Sequence, residues 1–572
     1  MQAIEKAKKE IIDLVEKAGF AKAEIEVETP PENVGADFSV PVFRLAAKKK
    51  INPQVLAEKI VDKINLENSV FSKVERAGAY INFYLDYKKF NKLVFDEFNS
   101  HIGCETGTVV IDYSSPNIAK PFSVGHLRST VIGQALYNIY KFLGYKVIGD
   151  NHLGDWGTQF GKLICAYKKW GDESKLKKDP MAESLRIYVK FHEEAKNDKK
   201  LEVEAREWFK KLESGDKEAL EIWKLFRNLS LSEFKKIYQM LGVKFDEELG
   251  ESFYQGKTTE IIALAKRKKI AKWALALDED GKPSTANEKV LIIDLKKYGI
   301  DTPLLLEKSD GTTLYATRDL AAIKYRLGKW KPEKILYVVG AEQKLYFTQL
   351  FKAAEILGFK SKFEHIYFGL IRLSGGKMST REGKVIFLKD VLNEATKKVG
   401  HILNDRDMNK TEKDEVSKIV GIGAIKYADL SQSRAKDIVF DWNKIITLKG
   451  NSGPYLQYQY VRIQSILKKS KSRNKDKVNP ELLNSSEEIK LIKMLAGFNE
   501  TLEKVISNSE THILTDYLFN LSESFSAFYE KYSVLKASSS DLIATRLYLC
   551  QIVSQILKTG LNLLGINLPN KM

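Results

Sequence analysis

A chain of 572 residues is too long for one ordinary domain and fits three or four units of ~100–200 residues each. Hydrophobic residues at 44% and charged residues at 29% exclude a wholly disordered polymer. Lys and Arg outnumber Asp and Glu by 92 to 75, and the resulting +17 points to a polyanionic partner, nucleic acid before an anionic membrane.

The opening segment, MQAIEKAKKEIIDLVEKAGF, mixes both charge signs with apolar residues at helical spacing, unlike a signal peptide. Its pattern predicts a helix to about residue 18 with Gly19 at the C′ position. Strand-like alternation follows at Ala23–Glu28 and Phe38–Val40, then a helical stretch near Pro53–Ile64 and a strand at Ala79–Leu85. Together these read as a small α/β domain. At Val109 the texture changes. VVIDY predicts a buried strand, followed by the loop SSPNIAKPFSV, a helix from Gly125 to Leu143 and a strand at Tyr145–Ile148. Strand, loop, helix, strand is the βαβ unit of a nucleotide-binding parallel sheet. Further strands are expected at Val290–Leu295, Ile335–Val339 and His365–Ile371, with a charged helical insertion at about 160–285. After about residue 390 the pattern is nearly all helix, interrupted by the basic run Lys468–Lys477. Apolar residues from Leu547 to Leu568 are broken by Gln551, Ser554, Gln555, Lys558 and Asn562, as in a packed amphipathic helix and not a membrane span. The three cysteines, Cys104, Cys165 and Cys550, form no CxxC pair, and the histidines show no metal-ligand spacing, so no metal site is expected.

The sharpest feature is SPNIAKPFSVGHLRST at Ser115–Thr130. A constrained loop leads into a helix whose first turn holds Gly125 and His126. Unpaired N–H groups and the positive dipole end suit phosphate there, and the His126 ring can donate to phosphate oxygens as charge develops.

PFSVGHLRST resembles the HIGH signature of class I aminoacyl-tRNA synthetases. With GDNHLGDWGTQFG after it, the segment is similar to the form found in arginyl-tRNA synthetases. GGKMSTREGKVIFL resembles that family's KMSKS loop, and DGTTLYATRDLAA and GPYLQYQYVRIQSIL are further matches in the family's order. The resemblance spans the whole chain. It implies an N-terminal tRNA-contacting domain (1–100), a Rossmann-type parallel-sheet catalytic domain (101–390) with the helical insertion, and a C-terminal helical anticodon-binding bundle (391–572).

The implied activity is ATP-dependent ligation of L-arginine to tRNA(Arg) through an arginyl-adenylate, with Mg²⁺ on the phosphates of ATP. The implied enzyme is a cytoplasmic monomer without a membrane association, and it needs bound tRNA to activate arginine. ATP would meet Ser123, Gly125, His126, Gly340, Glu342, Lys377, Ser379 and Arg381, with His152 a further candidate. Arginine would meet Ser115, Asn117 and Gln343 at its amino and carboxylate groups, and Tyr315, Asp319 and Glu251 at its guanidinium, a planar donor fork that favours paired carboxylates. Tyr80 and Asn82 match positions at the tRNA elbow; Tyr458, Tyr529 and Met572 match positions near the anticodon.

Two departures stand out. Ser123 replaces the first His of HIGH, and Thr380 replaces the second Lys of KMSKS. A phosphoryl transition state with one cation fewer needs a substitute, and Lys120 is placed in sequence to supply it. The expected catalytic set is Lys120, Gly125, His126 and Lys377. No insertion resembles an editing domain, so specificity would rest on first-pass binding. A synthetase for another amino acid and a non-catalytic RNA-binding paralogue remain open at this level.

Overall fold

Alternation in the first hundred residues folds as an antiparallel sheet of β1 (Phe38–Pro41), β2 (Phe71–Ala77) and β3 (Tyr80–Leu85) in the order β1-β3-β2. The computed structural model describes residues 3–98, 106–118, 120, 122–275, 289–309, 311–373, 386–470 and 478–572. The expected strand at Ala23–Glu28 is a 3₁₀ turn at Lys22–Glu24 with a single bridge from Glu28 to Ser39. A lone bridge cannot hold a strand on a sheet edge. Asn52 and Asp86 cap the helices Pro53–Val61 and Tyr87–Glu97 through their side-chain oxygens, which satisfies N–H groups that a helix start leaves free.

The chain divides into two compact units. The first joins residues 1–103 to 458–504 and 516–560; the second comprises 104–457, 505–515 and 561–572. In the first unit the N-terminal sheet domain and the helices of the later segments are tied by polar contacts. Lys8 pairs with Glu500 at 3.2 Å, Lys493 pairs with the buried Asp37, and Asn91 donates to the Leu483 carbonyl at 2.8 Å.

The second unit is built on a four-stranded parallel sheet. β4 (Thr108–Asp112) pairs with β5 (Lys146–Asp150), and the helix Leu127–Phe142 crosses between them. The expected strand at Val290–Leu295 belongs elsewhere. It is the middle of a separate antiparallel sheet of β6 (Ala271–Leu275), β7 (Lys289–Ile293) and β8 (Leu304–Lys308). A short apolar run announces burial but not which sheet it joins. Beyond it, β9 (Lys334–Tyr337) returns to the main sheet beside β4, and β10 (Lys362–His365) lies outside β9, so the order is β10-β9-β4-β5. The expected strand at His365–Ile371 is two pieces. β10 ends at His365, and β11 (Ile371–Leu373) pairs in parallel with β12 (Ile438–Phe440), a strand inside the nominally helical region.

The chain leaves β4 toward β5 on one side and later fills β9 and β10 on the other. The strand order therefore reverses between β4 and β9, and the loops leaving the carboxyl ends of those two strands splay apart there. In open α/β sheets that crevice is where ligands bind. A hydrophobic core supports it from below: Val110, Ile335 and Tyr337 pack with Leu320 and Ile323 of the helix Tyr315–Trp330 and Phe347 and Leu350 of the helix Lys344–Leu357.

Candidate active site

The loop after β4 begins with strained backbone. Ser114 and Ser115 both have positive φ, 70° and 43°, values that non-glycine residues adopt at a cost. Hydrogen bonds hold them there. The Ser114 N–H donates to Ser129 Oγ at 2.9 Å, and the Ser115 N–H donates to Asn151 Oδ1 at 3.1 Å. Ser115 Oγ donates to Asp112 Oδ1 at 2.8 Å. Asn117 bridges to Gly154, where an added Cβ would lie 3.2 Å from the Asn117 Cα, so any larger residue there would push the two backbones apart by a few tenths of an ångström.

Residues Val124–His126 form one 3₁₀ turn ahead of the helix Leu127–Phe142. The Ser123 N–H donates to His126 Nδ1 at 3.1 Å. Burial holds the ring's pKa down to about 4, and the positive charge of Lys120 adds to the effect. The ring is therefore neutral near pH 7, and because Nδ1 accepts, its one hydrogen sits on Nε2. His126 is set as a neutral donor. Lys120 is exposed, its N–H bonded to the Asn117 carbonyl at 3.1 Å. Ser123, at the position of the missing signature His, orients His126.

Residues 374–385 lie outside the described residues, and with them Lys377, Ser379, Thr380 and Arg381. Both flanks of that stretch are fastened to the His126 turn and its helix. On the outgoing side, buried Arg128 donates to the carbonyls of Gly369 at 2.9 Å and Lys436 at 2.8 Å and pairs with Asp429. On the returning side, the Val124 N–H donates to the Ile386 carbonyl at 3.1 Å, and the Leu388 N–H to the Phe122 carbonyl at 3.0 Å.

The helix Tyr315–Trp330 brings Tyr315 and Asp319 to one face, as a four-residue spacing requires. Both meet Tyr346: its ring lies 5.0 Å from that of Tyr315, and its hydroxyl donates to Asp319 Oδ2. Burial works to raise the Asp319 pKa, but His152, Tyr346 and Arg318 outweigh it and hold the carboxylate ionised. Glu251 pairs with Arg318 Nε at 3.2 Å, and burial raises its pKa. Gln343 is exposed at the end of a 3₁₀ turn that begins just after β9, and Gly340 bridges to Phe368. Glu342 is exposed on the same turn.

Sequence reasoning missed the ionic cluster beneath the pocket. Asp112 and Asp150 end β4 and β5, and Arg326, 1% exposed, donates to Asp112 at 2.7 Å and to Asp150 at 2.8 and 3.1 Å. It also missed buried Asp155, whose carboxylate takes Arg227 Nε at 3.0 Å and the Ser252 hydroxyl and N–H, each at 2.8 Å. For Asp112 and Asp150, a charged residue ending a buried strand was the available signal.

The comparisons decide the family. A model described as "tRNA synthetases class I (R), catalytic domain" matches residues 91–442. The chain belongs to the arginyl-tRNA synthetases. In that family's terms, an "Arginyl tRNA synthetase N terminal domain" matches residues 2–85 and a "DALR anticodon binding domain" residues 456–572. The chain is 42% identical to the arginine–tRNA ligase of Halothermothrix orenii over 99% of each chain, and 42% identical to that of Clostridium kluyveri over 96% of each. The crystal structure of the Plasmodium falciparum arginyl-tRNA synthetase superposes with a TM-score of 0.79 at 26% identity, covering 99% of both chains. The Thermus thermophilus arginyl-tRNA synthetase shares the fold, with a TM-score of 0.81 at 24% identity over 99% of this chain and 100% of that one.

Among the positions expected to meet tRNA, Tyr80 is 39% exposed and sits edge-on to exposed Phe43 at 5.4 Å. Asn82 is buried and accepts the Ser39 hydroxyl at 2.8 Å. Tyr529 is half-buried beneath the Arg462 guanidinium at 4.9 Å, and Tyr458 and Met572 are half-buried.

Proposed function

We propose that this protein ligates L-arginine to the 3′ end of tRNA(Arg). The arginine carboxylate attacks the α-phosphorus of ATP, the bond to pyrophosphate breaks, and arginyl-adenylate forms. A ribose hydroxyl of the terminal adenosine of tRNA then attacks the arginyl carbonyl and AMP leaves. The observation that carries this reading is the match over 99% of the chain to a ligase named for arginine.

In this reading the sheet's switch point receives ATP, with Ser123 and Gly125 at the turn and Gly340 and Glu342 after β9. His126, a neutral Nε2–H donor, bonds a phosphate oxygen as its charge grows, with Lys120 adding a permanent positive charge. Lys377, Ser379 and Arg381 meet the outer phosphates. Ser115, Asn117 and Gln343 hold the amino and carboxylate groups of arginine. Asp319, ionised and flanked by Tyr315 and Glu251, takes the guanidinium. Mg²⁺ would be carried on the nucleotide's phosphates. Residues 1–100 contact the tRNA elbow through Tyr80, with Asn82 behind it. The 391–572 segment takes the anticodon, whose unstacked bases suit Tyr458 and Tyr529, and Met572 is proposed as a further contact. The proposed working form is a cytoplasmic monomer; no described helix is long and apolar enough to cross a membrane.

The test is aminoacylation of total tRNA with each labelled amino acid in turn, by the wild type and by Asp319→Ala. Arginine alone is expected to be transferred. The variant is expected to lose arginine kcat/KM by a factor of hundreds or more, since stranding one partner of a buried charge pair costs ~3–5 kcal/mol. Transfer of another amino acid, or unchanged arginine kinetics in the variant, refutes the reading.

A further inference from the structure

The two oxygens of Asp319 are engaged by different elements. Oδ2 takes the Tyr346 hydroxyl, while Oδ1 faces Nε2 of His152 at 3.5 Å. The other ring nitrogen, Nδ1, lies 3.0 Å from the Leu249 carbonyl oxygen. A carbonyl only accepts, so Nδ1 carries a hydrogen, and a proton on Nε2 makes the ring an imidazolium.

The charged groups around the ring come from every element packed on it. Asp319, Arg318 and Arg326 lie on the helix Tyr315–Trp330, Asp112 ends β4, Asp150 ends β5, and Glu251 opens the turn whose Tyr254 ring is 5.5 Å away. Burial opposes a charge on His152, but Asp319, helped by Asp112, outweighs it and holds the pKa at about 9.

A guanidinium seated on Asp319 is a second cation against the same carboxylate. It stays charged at any accessible pH; an imidazolium has a neutral form to fall back on. Taking Asp319 as the guanidinium partner, as above, we propose that His152 is a specificity-determining residue of the arginine pocket: a proton on its Nε2 competes with the substrate guanidinium for Asp319, and arginine binding expels that proton. The Nε2–H bond breaks, the proton passes to solvent, and the ring remains neutral with Nδ1–H on the Leu249 carbonyl. An uncharged ureido isostere of arginine brings no field to displace the proton and meets a carboxylate already paired. Discrimination against it therefore combines a lost attraction with a retained competitor.

The experiment is calorimetric titration of L-arginine into the full-length protein at pH 7.5, in buffers of different ionisation enthalpy, with wild type and His152→Gln. A fall from about 9 to the ordinary ~6.5 predicts release of about 0.9 proton by the wild type. Arginine affinity is then expected to rise as pH rises, by up to about tenfold per pH unit between 6.5 and 9. His152→Gln is expected to bind arginine without that release. Wild type that binds arginine with no proton release overturns the exchange, as does a Gln variant that releases as much as wild type. Failure of wild type to bind arginine at all, with or without tRNA, sinks the pocket assignment itself. Should His152→Gln not fold, ¹³C NMR of the wild-type ring reads the same event: conversion from imidazolium to neutral on adding arginine supports it, and an unchanged imidazolium overturns it.

Discussion

Arg326 offers the most direct test of how the pocket floor is built. Its guanidinium is buried between two carboxylates that close neighbouring strands, at 2.7 Å from Asp112 and 2.8 Å from Asp150. With charge centres roughly 4 Å apart and an effective dielectric of about 20, each pair attracts by ~4 kcal/mol. Most of that offsets desolvation and the repulsion between the two acids. Arg326→Met removes the attraction but leaves both desolvated carboxylates facing each other, and such a deletion costs ~3–5 kcal/mol. At ~3 kcal/mol per molar urea the unfolding midpoint, followed by tryptophan fluorescence, is expected to drop by roughly 1–2 M. Burial already raises the Asp150 pKa, and loss of Arg326 raises it further. A folded-state pKa above the unfolded one makes the deficit largest at high pH and smaller as pH falls through the raised value, so it is expected to be smaller at pH 5.5 than at 7.5. Adding Asp112→Asn and Asp150→Asn to Arg326→Met is expected to restore much of the midpoint. An unchanged midpoint in Arg326→Met, or a triple variant no better than the single one, would falsify the account of stranded charge.

Three further outcomes follow from the site. Lys120→Ala is expected to lower kcat for tRNA-dependent ATP–pyrophosphate exchange by about one to two orders of magnitude, the worth of a charged hydrogen bond, with ATP affinity little changed. Thr380→Lys in that background is expected to restore part of the loss, and near-normal exchange by Lys120→Ala removes that residue from the mechanism. The His126 ring, whose pKa is about 4, is expected to stay neutral in NMR titrations down to pH 5; protonation near pH 6.5 contradicts the donor role assigned to its Nε2. With +17 on the chain, tRNA affinity is expected to fall steeply on a log–log plot against salt while arginine affinity changes little, and a flat tRNA plot assigns the excess charge elsewhere.

The elements nearest the chemistry were legible because their signals are local. VVIDY is a buried strand by composition, and Tyr315 and Asp319 share a face by helix geometry alone. What escaped depends on pairing between distant segments. β12 is three residues whose only reason to be a strand is β11, dozens of residues earlier. Arg326 reads in KYRLGKW as a solvated helix arginine, and only the parallel pairing of β4 and β5 puts Asp112 and Asp150 together within its reach. The same holds for Lys426. Nothing in GAIKYADL announces that its ammonium is buried among the carbonyls of Leu241 and Gly565, where desolvation lowers its pKa to about 8. Asn82 is a subtler case. It shares a strand face with Tyr80, yet its partners are Ser39 and Glu75 on the flanking strands, which leaves Tyr80 as the exposed one of the two.

The clasp between residues 122–124 and 386–388 is made of main-chain groups, N–H to carbonyl in both directions. Such a fastening is indifferent to what side chains it carries; short of a proline at Val124 or Leu388, any sequence can keep it. The two signature segments can therefore drift letter by letter without drifting apart in space. A serine standing for histidine at Ser123 is a change that this arrangement tolerates. Recognising a chain of this kind by the bridge that joins its two segments therefore asks less of the letters than recognising it by the signatures themselves.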